Sequence, residues 1–327
     1  MIIHYQVKIF IFSLFIMCTT IFGVSNGQLR VGFYLGTCPI TESIVHRIVQ
    51  TEISRDPQQA PRLLRLFFHD CLVEGCDGSI LLDSDSAEKH ATANLGLGGF
   101  DVIDEAKKQL EAACPGVVSC ADVVALAARD AVVLTGGPSY EVPTGRRDGR
   151  ISESSLATRN MPEVDDSIEL LKSKFRSKGL SDEELVLLSA GGHTIGTTAC
   201  FFMTKRLYNF TGRGDSDPGI NPELLPQLKT KCPRGGDVNV RLPLDWSSET
   251  TFDDQILRNI RNGFAVASSD ARLNDDANTT QVLDTYVASK TGPSFKADFA
   301  RAMVNLGNVG VKTDSKGEIR RVCNAIN

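Results

Sequence analysis

LLRLFFHDCLVEGCDGSILLD, residues 63–83, decides how the rest of the chain is read. It starts as an apolar helix in which Leu63, Leu64, Leu66, Phe67 and Phe68 leave little room for water. Into that setting come Arg65 and His69, four residues apart and so on one helical face. Burying a guanidinium beside an imidazole is costly unless something compensates. A fixed cation next to a titratable base is useful where a bound group gains negative charge while protons move. Directly after His69 come Asp70, Asp77 and Ser79, spaced by Gly75 and Gly78 and bracketed by Cys71 and Cys76. Oxygen ligands on a tight, glycine-rich, cross-linked loop suit a calcium ion. A lone His-Asp dipeptide would read as a core helix with an acidic turn. The full set within one short stretch reads as a site.

The compartment follows from the N-terminus and the cysteines. Residues 1–27 read as a secretory signal, with Lys8 as the one formal charge and an apolar run from Ile9 to about Val24. Small residues precede Gln28, the expected mature N-terminus. That run is short for a membrane span, and no later stretch reaches the roughly 18 apolar residues one needs. The mature chain keeps 300 residues, eight cysteines and a net charge of −6, which argues against a nucleic-acid surface. An even cysteine count in an exported chain predicts four disulfides, with the pairing open on spacing alone. Asn209-Phe-Thr211 and Asn278-Thr-Thr280 are N-glycan acceptors that fit the same route. The expectation is a secreted protein.

The organisation is helix after helix, joined by Gly/Pro turns, without repeat, low-complexity tract or Pro/Ser-rich linker. Periodicity predicts helices over Pro39 to Ile53, Phe100 to Ala113, Ser119 to Leu134 and Ser167 to Lys178. The Ser119 helix is Ala/Val-rich nearly all round and should be central and buried. Ser181-Asp-Glu-Glu184 is a capping box opening a helix from Glu183 to Ala190, after which Gly191-Gly192 loosens the backbone before His193-Thr194. A further helix is expected over Gly196 to Phe210, then a turn-rich stretch from Asn209 to Arg241 whose only β-like run is Asp237 to Arg241. Asp245 to Asp253 holds a second cluster of calcium-type oxygens. Helices over Asp254 to Ala265, about 277–289 and 293–306 close the chain. Glu141 to Asp148 should be irregular and pinned by ion pairs, and Asn160-Met-Pro162 an exposed turn. His46 and His90 read as structural or solvated. The fold class is mostly α.

Taken together, RLFFHDCLVEGCDGSILLD at 65–83, Glu88-Lys89 with Asn94, GRRDG at 145–149, SAGGHTIG at 189–196 and RLYNFTG at 206–212 resemble the secretory plant haem peroxidases, class III. The resemblance covers the whole mature chain. It implies a single domain over 28–327, with a distal half over about 28–165 and a proximal half over about 166–327. The implied cofactor is one haem b held between those halves. His193 would be the iron ligand, and Phe68 and Phe202 would lie against the cofactor. His69 would take a proton from hydrogen peroxide and return it to the departing oxygen, while Arg65 stabilises the charge. For that work His69 must be neutral, and burial beside Arg65 pushes its pKa the right way. Asn94 would hold the other ring nitrogen of His69. Asp270 would accept the His193 N–H. Pro162 would help to bind a small phenolic donor.

The family also implies two calcium ions. The distal set is Asp70, the Val73 and Gly75 carbonyls, Asp77 and Ser79, with Glu88 through water. The proximal set is Thr194, Asp245, Ser248, the Thr251 carbonyl and Asp253. The implied disulfides are Cys38–Cys114, Cys71–Cys76, Cys120–Cys323 and Cys200–Cys232. A monomer without membrane span or nucleic-acid partner is expected. Six positions depart from the usual family pattern: Val164 stands for a second proline at the donor turn, Tyr140 for a common Trp, Ser248 for Thr, Ile256-Leu257 for an aromatic pair, and Ala271 for Gln. Two other classes were weighed. A haem- and calcium-binding wall protein without turnover would not need Arg65, His69, Asn94, His193 and Asp270 together. A zinc hydrolase fails because the four mature histidines form no paired metal motif.

Overall fold

The helix that carries Arg65 and His69 runs from Gln59 to Val73 in the computed structural model, which describes residues 28–288 and 294–327. The signal reading of residues 1–27, and the chain between the last two expected helices at 289–293, lie outside the described residues. Among the described residues there are thirteen α-helices, a few 3-10 turns and a single two-stranded sheet. The mostly α expectation holds.

Two groups of helices share one apolar core. In the first, α1 (Thr41–Arg55), α2 (Gln59–Val73) and α3 (Phe100–Ala113) pack on α4 (Cys120–Leu134). Helix α4 is buried on nearly every side, as its Ala/Val composition requires, and the Ser119 hydroxyl caps it by accepting from the Asp122 N–H. After the short α5 (Ser154–Asn160), the second group forms around α7. Here α6 (Ile168–Ser177) precedes α7 (Asp182–His193), whose capping box is formed in both directions between Ser181 and Glu184. Helix α7 packs on α6, on α2 and on two late helices described below. The contact of α2 with α7 is what brings the two histidine-bearing helices together.

Four local expectations are corrected. Gly191 and Gly192 do not loosen the backbone, because α7 continues through them to His193. Gly191 is needed for a different reason: a Cβ there would lie 2.1 Å from the Phe299 ring. The helix expected over Gly196 to Phe210 is replaced by β1 (Thr197–Ala199), a 3-10 turn over Cys200–Met203 and the short α8 (Thr204–Tyr208). Gly196 adopts φ +94°, which ends helical geometry, and the two threonines then pair antiparallel with β2 (Arg241–Pro243). A helix α9 (Leu224–Lys231) stands inside the stretch read as turns, with only Leu224 and Leu228 buried to signal it. Past it, α10 (Gln255–Arg261) is shorter than expected because Gly263 turns left-handed against the Gly219 carbonyl. Asp270 stands on α11 (Ser268–Arg272), followed by α12 (Ala277–Ala288) and α13 (Phe295–Leu306), the two late helices on α7.

Buried ion pairs hold the irregular segments, as read from GRRDG. Arg146 pairs with Asp122 at 2.7 Å and donates to the Gly307 carbonyl at 2.6 Å, with both side chains fully enclosed. Asp148 accepts from the backbone N–H groups of Ala121 and Arg320. Removing one member of such a pair strands the other charge, a loss of about 3–5 kcal/mol. Four disulfides, Cys38–Cys114, Cys71–Cys76, Cys120–Cys323 and Cys200–Cys232, are those the resemblance implies. The Asn160-Met-Pro162 turn is only partly exposed, since Met161 is buried. His46 sits 3.3 Å from Asp130 and His90 is exposed, both outside the site.

Candidate active site

On α2, Arg65 and His69 are stacked one turn apart, and the Arg65 Nε–H donates to His69 Nε2 at 3.2 Å. The other ring nitrogen, Nδ1, meets Asn94 Oδ1 at 2.6 Å. An amide oxygen only accepts, so Nδ1 carries the proton and Nε2 presents its lone pair. The Asn94 amide nitrogen donates to the Glu88 carbonyl at 2.7 Å, which fixes the orientation of the amide. Burial first, and then the Arg65 charge, hold the His69 pKa well below the ordinary histidine value, against a smaller upward pull from Asn94. Arg65 is itself lowered to about 10 by burial and by the Arg241 charge, and stays cationic at neutral pH. The result is a neutral base beside a permanent cation. The side chain of Arg65 also donates to the Ala93 carbonyl at 3.1 Å, which anchors it to the polar connection after the acidic loop.

His193, the last residue of α7, has a different partner. Its Nδ1 lies 2.9 Å from both oxygens of Asp270, a fully buried carboxylate on α11. Burial works to lower the His193 pKa, but the charge and hydrogen bond of Asp270 outweigh it, and the net shift is upward. No described residue is hydrogen-bonded to its Nε2, while the side chain keeps 32 % of its surface accessible. His69 and His193 lie within electrostatic reach of each other, from helices that touch. An imidazole with one nitrogen tied to a carboxylate and the other directed into open space fits an axial metal ligand. Phe68 is half-buried, edge-on to His69 at 6.0 Å, and Phe202 is half-buried against Phe201.

Behind α2, the residues read as distal calcium ligands converge. Asp70 accepts from the Gly78 and Ile80 N–H groups, and Asp77 accepts from the Ser79 N–H. The Ser79 hydroxyl and the Glu88 carboxylate are buried close together, and among the described residues neither makes a well-formed hydrogen bond. Burial and the neighbouring carboxylates raise Asp70 to about 7 and Glu88 to about 9. Orphaned oxygens and crowded carboxylates together are a donor set short of a cation, so the residues fit calcium. Gly75, at φ +115°, could not carry a side chain, because a Cβ would lie 2.5 Å from the Gly310 carbonyl. Sequence reading missed two lysines here. Lys312 pairs with Asp77, and Lys178 donates to the Val73 carbonyl at 2.5 Å. Separations of 235 and 105 residues leave no local signal for either.

The proximal oxygens also gather. The Thr194 hydroxyl reaches the Asp253 carbonyl at 3.1 Å and the Thr251 carbonyl at 3.4 Å, and lies beside Asp245. Ser248 donates to Asp253. Asn259, not anticipated from sequence, donates to Asp245 Oδ1 at 2.6 Å. Burial, and in second place the Asp253 and Asp270 charges, raise Asp245 to about 7 in spite of that bond. No three His, Cys, Asp or Glu side chains converge to hold a metal ion among the described residues. The donors are hydroxyls, carbonyls and pairs of carboxylates, which are hard oxygen ligands. Pro162 stands half-buried between α5 and α6, and Val164, two residues on, lines a cavity that Phe202 also lines.

The chain is similar to known proteins over most of its length. A family model described as peroxidase matches residues 45–289. Peroxidase 43 of Arabidopsis thaliana is 58 % identical over 315 residues, 95 % of this chain and 96 % of that protein. Peroxidase 13 of the same plant is 56 % identical over 93 % of this chain and 95 % of its own length. Peroxidase N1 of Nicotiana tabacum is 49 % identical over 91 % of this chain and 90 % of its own.

Proposed function

This chain belongs to the peroxidase family and is a peroxidase enzyme acting on hydrogen peroxide, and on that premise we propose how its residues divide the work. The residues that would hold haem b are His193, through its Nε2, with Phe68 and Phe202 as the aromatic side chains beside it. Bound haem supplies the redox-active iron at which the peroxide O–O bond is cleaved. His69 Nε2 takes the proton from one peroxide oxygen and passes it to the other, which leaves as water. Arg65 stabilises the negative charge on the departing oxygen, and Asn94 keeps the proton on His69 Nδ1, so that Nε2, which accepts from the Arg65 Nε–H, is the basic nitrogen. Asp270 keeps the His193 N–H engaged and gives the ring more anionic character. The observation that carries this reading is the pair of imidazoles on touching helices, one tied to a neutral amide and a cation, the other to a carboxylate.

The oxygen sets around Asp70 and Asp245 would each hold one calcium ion, which would brace the loops that continue from the two histidine helices. The distal set is Asp70, Val73, Gly75, Asp77 and Ser79 with Glu88, and the proximal set is Thr194, Asp245, Ser248, Thr251 and Asp253. The electrons come from small phenolic donors near Pro162. Residues 28–327 act as one domain, a monomer in the cell wall with glycans at Asn209 and Asn278, after removal of residues 1–27. No helix among the described residues is long and apolar enough to cross a membrane. The test is haem reconstitution of wild type and His193→Ala, followed by Soret absorption. Wild type should bind one haem per chain with a histidine-ligated spectrum, and His193→Ala should lose that spectrum. An unchanged spectrum in His193→Ala would remove the assignment.

A further inference from the structure

Two lysines from distant segments bring their ammonium groups to the distal oxygen set. Lys312 pairs with Asp77 through Oδ2, while Asp77 Oδ1 accepts from the Ser79 N–H at 3.0 Å. Lys178, just past the end of α6, donates to the Val73 carbonyl at 2.5 Å. Asp77 and the Val73 carbonyl are both in the distal calcium set, so each ammonium draws on an oxygen that the metal would use.

The segment that carries Lys312 is docked on the loop through its backbone. The Cys76 N–H donates to the Val309 carbonyl at 2.9 Å, and the Arg147 N–H to the Lys312 carbonyl at 2.8 Å. Gly75 and Gly310 pack too closely for a side chain on either. The two members of the ion pair differ in freedom. Lys312 keeps 29 % of its side-chain surface accessible and Asp77 keeps 1 %, so the ammonium is free to swing out to water while the carboxylate stays in place. A tethered cation of this kind is present at high effective concentration and is still releasable.

The surrounding charges set the size of its effect. Asp70, Asp77, Glu88 and the exposed Glu74 repel one another across the loop, and Asp148 lies beside Arg320. Against these five carboxylates stand three cations, Lys178, Lys312 and Arg320. Acids are in excess with both lysines in place, so the set still attracts a divalent cation, but less strongly than it would without them.

We infer that Lys312, assisted by Lys178, is an internal competitor for calcium at this site: it lowers the affinity for the metal and holds the loop when the metal is away. This rests on the calcium reading of the distal set. Its consequence is a site whose filling follows the surrounding calcium level.

The test uses haem-loaded mature enzyme, stripped of calcium by a chelator and titrated with calcium in an isothermal calorimeter. Wild type should take up two ions per chain; fewer would remove the calcium reading, and the competitor with it. In Lys312→Met one of the two sites should tighten about tenfold while the other keeps its wild-type affinity. The chelated variant should also melt at a lower temperature than chelated wild type. Lys312→Arg, which keeps the cation, should stay within about threefold of wild type. A lysine that only packs would leave binding equal or weaker on removal. Two ions bound with equal or weaker affinity in Lys312→Met, both sites shifted alike, Lys312→Arg tightening as Lys312→Met does, or an unchanged melting temperature of the chelated form would each overturn the competitor alone. If Lys312→Met does not load haem, Lys178→Met decides by the same criteria, with about threefold tightening expected.

Discussion

His69 and His193 stand on helices that touch, and each is followed directly by an oxygen-bearing residue of an acidic loop, Asp70 and Thr194. Desolvation is the largest influence on both, and it disfavours the protonated form of each. Their pKa values nevertheless move in opposite directions. The cause is the second residue in each case: a guanidinium and a neutral amide at His69, a buried carboxylate at His193. Burial sets how strongly a neighbour is felt, and the neighbour's charge sets what the histidine becomes. One ring is kept as a free base for protons, and the other is made electron-rich at its open nitrogen.

Breaking the free base should have the largest effect. His69→Leu leaves the His193–Asp270 pair untouched, so haem should still bind while peroxide turnover falls about 10²–10⁴-fold, the usual contribution of a general acid–base group. Stopped-flow peroxide consumption beside the Soret spectrum checks this. A rate within tenfold of wild type would mean that His69 does not handle the proton. On the other side, Asp270→Asn keeps the size and a hydrogen bond but removes the charge. Turnover should fall about 10–100-fold, with a rise in the iron reduction potential because the ring loses anionic character. A potential that does not move would leave Asp270 as packing alone.

The two regions were not equally legible in the sequence. The distal machinery is local: Arg65, His69, Asp70, Asp77 and Ser79 fall within fifteen residues, and helical spacing alone aligns the first two. Asn94 and Asp270 carry no such signal, and only likeness to a family pointed to them before the hydrogen bonds were seen. The helix expected after Gly196 shows the limit of periodicity. Thr197–Ala199 pairs with a strand more than forty residues away, and tertiary pairing overrode the local pattern. Lys178, Lys312 and Asn259 enter the ligand loops from distant segments, where they look like ordinary surface or helix residues. The buried Arg206 and Arg272 guanidiniums meet only because Asp217 lies between them.

Calcium removal sharpens the comparison at the level of the two loops. In the chelated protein Asp70 titrates at about 7 and Glu88 at about 9, above ordinary carboxyls, because burial and mutual repulsion penalise their charged forms. A carboxyl whose folded pKa exceeds its unfolded value costs nothing below the unfolded value. The cost grows as pH rises towards the folded value. Bound calcium opposes that cost and itself requires deprotonated ligands. The gain in melting temperature on adding calcium should therefore increase from about pH 5 to about pH 8. A gain that is flat or falls across that range would count against these carboxylates as ligands.

The smallest and most specific change concerns the acid limit of turnover. His69 must be neutral to accept a proton, and its lowered pKa keeps it so until the medium is more acidic than an ordinary histidine would tolerate. Part of that lowering comes from the Arg65 charge, so Arg65→Leu should slow the reaction and also move the acid limb of the rate profile upward, by about one pH unit. Asn94→Ala removes a bond that supports the protonated ring, so its limb should move downward or stay in place, with the loss appearing in the rate. Two variants that both slow the enzyme are thus separated by the sign of the shift. If both limbs move the same way, the partition of the His69 environment between cation and amide is wrong, and the contrast with His193 loses its basis on the distal side.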